Sequence, residues 1–141
     1  MTDKLPPLIP HLCVVGAIDA IEFYKKAFGA TEVMRMPADD GKRLMHAHLV
    51  INGAVVFLMD DFPEHRGQHG NIKIFPATEI GGTPIKIHLE VPNCDEAVKR
   101  AEAAGAKVTM PPWDAFWGAR YAEVSDPFGL AWSFAHPLPA K

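Results

Sequence analysis

Apolar residues run almost unbroken from Leu8 to Val15, and a short apolar run of this kind reads as a buried strand. The period then changes. Ile21, Tyr24 and Phe28 recur at helical spacing with Phe23 and Ala27 beside them, so a helix is expected after Asp19. Glu22 stands three residues beyond Asp19, the spacing of a capping box, and Gly29 is a suitable stop. Thr31–Met36, Leu44–Ile51 and Ala54–Met59 read as three strands. The stretch "PADDGKR" has turn chemistry, and Asn52-Gly53 is the dipeptide favoured in a tight type I′ hairpin.

Residues 60–84 are rich in turn formers and charges. A stretch of that length points to a link between modules or to a functional loop, with "NIKIF" as a short strand inside it. The pattern then restarts. Ile85–Val91 reads as a strand, and Asn93 with Glu96 offers a helix cap. Glu96–Ala104 reads as a helix with Ala97, Val98, Ala101 and Ala104 inward, stopped by Gly105. Lys107–Met110, Arg120–Ser125 and Leu130–Ala135 follow as strands, broken by "PPWDAFWG" and "DPFG". His11-Leu12 aligns with His88-Leu89 and Asp19-Ala20 with Glu96-Ala97. One deletion later, Gly29-Ala30 aligns with Gly105-Ala106. The expectation is an α+β fold: two βαβββ modules in one domain over 1–141, module 1 at about 5–60, a link at 61–84 and module 2 at about 85–137.

Composition narrows the function. With 141 residues, 48% apolar and 22% charged, the chain suits one ordinary globular unit. A net charge of −3 and the lack of a basic block argue against nucleic acid and acidic membranes as partners. The two cysteines, Cys13 and Cys94, are too few for a disulfide framework. No apolar run is long enough to span a bilayer, and "MTDKLPPLIP" lacks the apolar core of a signal peptide, so a cytoplasmic protein is expected.

Two stretches carry a family resemblance. "AIEFYKKAFGA" (Ala20–Ala30) is similar to the first-helix signature, and "FWGARYAEVSDPFG" (Phe116–Gly129) to the last hairpin, of the vicinal oxygen chelate superfamily, especially its PhnB-like subgroup. That superfamily holds glyoxalase I, bleomycin-resistance proteins, fosfomycin-resistance enzymes and extradiol dioxygenases. The resemblance implies that each module curls its sheet into half of a cup, that the two halves of the chain build one cup with their first-strand residues facing each other across it, and that many members complete their cups as homodimers. Metal-using members place ligands on the first and fourth strands of each module. The first-strand positions correspond to His11 and His88. Aligning Gly53 with Gly129 puts Phe57 and Ser133 where metal enzymes usually carry Glu, and neither is a carboxylate.

Candidate chemistry follows from both sources. His11 and His88 are two potential ligands for a divalent metal (Fe, Mn, Ni, Co or Zn), but catalytic sites usually supply three. Glu90, two residues after His88, shares its sheet face and is the candidate third; Cys13 stands in the same relation to His11. His46 and His48 share a face of their strand and are candidate proton-transfer groups. His65 and His69 read as solvated loop residues. Trp113, Phe116 and Trp117 offer an aromatic wall with Phe57 and Ser133 in the cup, and Arg120 either clamps a ligand carboxylate or pairs with a nearby acid. Two functions stay open. One is a small-molecule-binding protein that sequesters an aromatic metabolite or antibiotic. The other is a metal-dependent enzyme of glyoxalase (lyase) or extradiol dioxygenase type using His11 and His88.

Overall fold

The computed structural model describes residues 4–68 and 73–140. Its first half runs β1 (His11–Val14), α1 (Ala17–Phe28), β2 (Thr31–Pro37), β3 (Leu44–Ile51) and β4 (Ala54–Asp60). The connecting segment contains a 3-10 turn at Pro63–His65 and the short helix α2 (Ala77–Ile80). The second half runs β5 (Lys86–Glu90), α3 (Cys94–Ala104), β6 (Lys107–Asp114), β7 (Ala119–Ser125) and β8 (Ala131–Pro137). Each half is a βαβββ module, as the repeat predicts. The sheets are ordered β1-β4-β3-β2 and β5-β8-β7-β6, with β1 parallel to β4, β5 parallel to β8 and the other pairs antiparallel. Among the described residues no helix is long and apolar enough to cross a membrane.

Local chemistry explains most boundaries. Asn52 and Gly53 both take positive φ, 53° and 79°, as a type I′ turn requires. The Asn93 side chain accepts the Glu96 N–H at 3.1 Å and caps α3. At α1 the expected capping box does not form. The helix starts three residues earlier, at Ala17, and its N-cap is Gly16, which has no side chain to offer. Asp60, at the end of β4, accepts the Gly16 and Ala17 N–H groups instead, at 2.8 and 2.9 Å. In the connecting segment, His69 and the Asn71-Ile72 start of "NIKIF" lie outside the described residues, and Lys73–Phe75 is not strand.

The core explains how the two modules sit. α1 packs on β3 and β4, α3 packs on β6, β7 and β8, and the two helices pack on each other. Strand side chains alternate between faces. Leu12, Val14, Leu49, Leu58, Val124 and Trp132 all point into the helical layer and are buried. Phe28 of α1 crosses the seam, with its ring 4.5 Å from Trp132 and 5.9 Å from Phe134. The helices therefore lie between the sheets, and each sheet turns its other face outward. Arg100 of α3 ties the layer together by donating to the Lys26 carbonyl at 2.8 Å.

Candidate functional site

The outward faces carry the sequence-predicted residues in matching rows. Across the first sheet, His11 stands opposite Phe57, Phe57 opposite His48, and His48 opposite Met34. Across the second, His88 stands opposite Ser133, Ser133 opposite Glu123, and Glu123 opposite Met110. The sequence alignment through Gly53 and Gly129 thus corresponds to real strand register. Both faces have a first-strand imidazole beside a non-acidic fourth-strand residue.

On the first face the rings cluster. His46 lies 4.6 Å from Phe57 and 5.7 Å from His11, edge-on in both cases, and His48 lies 5.4 Å from Phe57. Burial, helped by His46, lowers the pKa of His11 below the ordinary histidine value. His11 is therefore neutral at pH 7. In an NMR titration His11 is expected to protonate below pH 6.5, and His46→Ala is expected to raise its midpoint while leaving the burial contribution in place. A midpoint unmoved by that substitution would rule out the imidazole pair. Cys13 lies one row along, opposite Met59. Burial and the Asp61 carboxylate push its thiol up to about 11, against a smaller opposing effect of Arg66, so it stays protonated at neutral pH.

On the second face His88 is held at both nitrogens. Nδ1 is 2.8 Å from Ser133 Oγ and Nε2 is 2.5 Å from Glu90 Oε2. Its ring stacks on Tyr121, centroids 6.1 Å apart and planes 19° apart. Tyr121 lies 5.4 Å from Trp117, which in turn meets Phe116 at 5.0 Å and Trp113 at 5.7 Å. The result is a continuous aromatic ladder from His88 to the β6–β7 hairpin tip. Much of it faces solvent: Phe116 is 92% exposed and Trp117 is 52% exposed. Lys86 closes one side, bonded to Glu123 at 2.9 Å and 5.5 Å above the Tyr121 ring.

Three placements differ from a single predicted cup. His11 is on one sheet and His88 with Glu90 on the other, with the helices between them. Among the described residues no three His, Cys, Asp or Glu side chains are grouped to hold an ion. The candidate ligands therefore do not fit a metal within one chain. Arg120 does not face the aromatic wall. It lies on the helical side of β7, where Nε and Nη2 each donate to Asp95 of α3 at 3.1 Å and Nη1 donates to Asp114 at 3.0 Å. Of its two predicted roles, pairing with an acid is the one observed. Sequence reasoning also missed Tyr121, Glu123 and Met34. Period-two alternation against buried Ala122 and Val124 would have placed the first two.

Comparisons with known proteins agree with this architecture. Residues 9–134 match the family model described as the Glyoxalase/Bleomycin resistance protein/Dioxygenase superfamily. The chain is 48% identical over 133 residues to "Uncharacterized protein Mb0911c" of Mycobacterium bovis, covering 94% of this chain and 84% of that protein. The crystal structure of TioX from Micromonospora sp. ML1 superposes with a TM-score of 0.70 at 27% identity, covering 93% of this chain and 98% of that one. A PhnB protein from Bacillus cereus shares the fold, with a TM-score of 0.64 at 18% identity over 93% of this chain and 99% of that one.

Proposed function

Because the chain belongs to the Glyoxalase/Bleomycin resistance protein/Dioxygenase superfamily, we propose that it is a small-molecule-binding protein that sequesters a flat aromatic compound. The observation that carries this reading is the exposed ladder His88–Tyr121–Trp117–Phe116, with Trp113 beside it. Aromatic rings offered to solvent beside a few polar anchors are the usual chemistry of an organic-ligand site. His88, held by Ser133 and Glu90, and Glu123, held by Lys86, form the polar edge beside the rings. Phe57 and Ser133 support binding over metal catalysis, since each takes a place where a carboxylate would serve a metal.

Half a cup lies on each side of one chain, so a homodimer is part of the proposal. A second copy would set its His11–Phe57–His48 row against the His88–Ser133–Glu123 row of the first. Sedimentation should then give twice the chain mass. Trp117→Ala should weaken binding of a planar aromatic probe by about 0.5–1.5 kcal/mol, the scale of one lost aromatic contact. The measurement is quenching of the remaining indole fluorescence across a panel of fused-ring compounds. Unchanged affinity for a compound that binds the parent chain would remove the ladder from the site. Elemental analysis after incubation with Fe, Mn, Ni, Co and Zn salts tests the enzyme reading. About one ion per chain, lost in His11→Ala, would replace sequestration with a metal-dependent reaction.

A further inference from the structure

The outward face of the first sheet groups four soft ligand side chains, apart from the ladder. Met34 and Met36 stand two residues apart on β2, and His46 and His48 do the same on β3. Met34 is opposite His48, and Met36 is opposite His46. Arg35 and Ala47, the pair between them, belong to the other face: Ala47 is buried, and Arg35 donates to Glu32 at 2.8 Å. Directly opposed residues on one face lie about 5 Å apart, and next-but-one residues about 7 Å apart. Two thioethers and two imidazoles therefore mark the corners of a small rectangle. An ion above its centre would be within reach of all four side chains.

The chemistry of these groups selects the ion. Thioethers and neutral imidazoles suit Cu(I), and they lack the oxygen atoms that hard cations require. The two imidazoles are not committed elsewhere. Among the described residues neither His46 nor His48 makes a side-chain hydrogen bond, whereas His88 and His136 both do. Phe57 lies 4.6 Å from His46 and 5.4 Å from His48 and gives the pair an apolar backing. Met34 and Met36 are 40% and 49% exposed, so an ion can arrive from solvent, and their unbranched arms can turn to meet it. Nearby charge does not set the choice. Arg35 is tied to Glu32, and the β2–β3 turn carries Asp39 and Asp40 against Lys42 and Arg43. His11, 5.7 Å from His46, is a competing imidazole, and Cys13 is a competing sulfur one row along from His11.

We propose that Met34, Met36, His46 and His48 bind one Cu(I) ion. The full chain is titrated with Cu(I) without oxygen, under excess ascorbate, against the chromogenic chelator bathocuproine disulfonate. One ion per chain is expected, and a hundredfold excess of Zn2+ should not displace it. The double variant Met34→Leu with Met36→Leu keeps side-chain size on an exposed face, so it should melt as the parent does. It should weaken Cu(I) binding at least tenfold, a loss seen even for residues that only support a metal site. His46→Gln should do the same. X-ray absorption of the loaded chain should show sulfur and nitrogen around copper, with the sulfur gone in the double variant. His11→Ala, Cys13→Ser and Trp117→Ala should each stay within threefold of the parent. No binding, displacement by Zn2+, or full affinity in the double variant overturns the proposal. Loss in His11→Ala or Cys13→Ser with the double variant unaffected also overturns it, because the ion would then sit on β1. Either result leaves the ladder reading standing, since that reading is tested by Trp117→Ala and an aromatic probe.

Discussion

Asp60→Ala is expected to cost about 3–5 kcal/mol of stability, the sum of two fully buried N–H groups and one half-buried group left without a partner. Asp60 is only 2% exposed. Its Oδ1 accepts from Gly16 and Ala17, and its Oδ2 accepts from Leu44 at 2.7 Å. One carboxylate thus starts α1 and holds the first residue of β3. Alanine would leave the Ala17 and Leu44 donors where little water can reach them. At this chain length each kcal/mol moves the melting temperature by roughly 3 °C, so a drop of about 10–15 °C should appear in a thermal melt. Asp60→Asn should cost less, since one oxygen still serves two donors while the amide nitrogen opposes the third. A drop under 3 °C for alanine would mean that Gly16 and Ala17 find other acceptors. Such a result would remove Asp60 as the cap of α1.

Asp60 also shows where sequence reading stopped. The cap of α3 was legible because Asn93 and Glu96 are local partners. The cap of α1 was not, because its acceptor lies 43 positions along the chain from Ala17. The repeat itself contains the missing clue. Counting from Gly53 and Gly129, Asp60 corresponds to His136, and His136 Nδ1 accepts the Cys94 N–H at the start of α3, at 2.8 Å. Both modules therefore start their helix from the end of their last strand, one with a carboxylate and one with an imidazole. The Asn52-Gly53 hairpin and the βαβββ order were legible because each depends on neighbours in sequence. The extent of β6 was not. Pro111 and Pro112 read as a break, yet β6 is an edge strand, where a residue lacking an N–H removes no necessary ladder bond. Extending β6 carries Trp113 onto the outward face opposite Tyr121. The role of Arg120 stayed open for a matching reason: its face follows from the burial of Ala122 and Val124, not from nearby aromatics. The cup was expected within one chain because the repeat tells that the halves match. It does not tell which faces meet, and that depends on how α1 packs against Trp132 and α3.

Asp126→Ala should have an effect of similar size, about 3–5 kcal/mol, because this carboxylate joins the two modules. Its Oδ1 accepts from Phe128 and Leu130 at 2.8 and 2.9 Å, which closes the β7–β8 turn. Its Oδ2 accepts from Trp132 Nε1 at 2.9 Å and from the Tyr24 hydroxyl of α1 at 2.7 Å. The turn chemistry expected of "DPFG" is therefore only half of its role. Tyr24→Phe isolates the other half. It removes one donor to a charged acceptor without orphaning the carboxylate, for an expected cost of about 1–2 kcal/mol. The double variant should then lose less than the two single losses combined, since the shared bond is counted once. A pH series gives an independent check. Burial and then Asp126 raise the Tyr24 pKa well above the ordinary tyrosine value. The folded state keeps that proton while the unfolded chain releases it near pH 10, so this stabilisation is complete below pH 10 and declines as pH rises above it. Tyr24→Phe should flatten that alkaline decline. Strictly additive losses with an unchanged alkaline slope would mean that Asp126 only closes its own turn, leaving the seam to Phe28, Trp132 and the contact of α1 with α3.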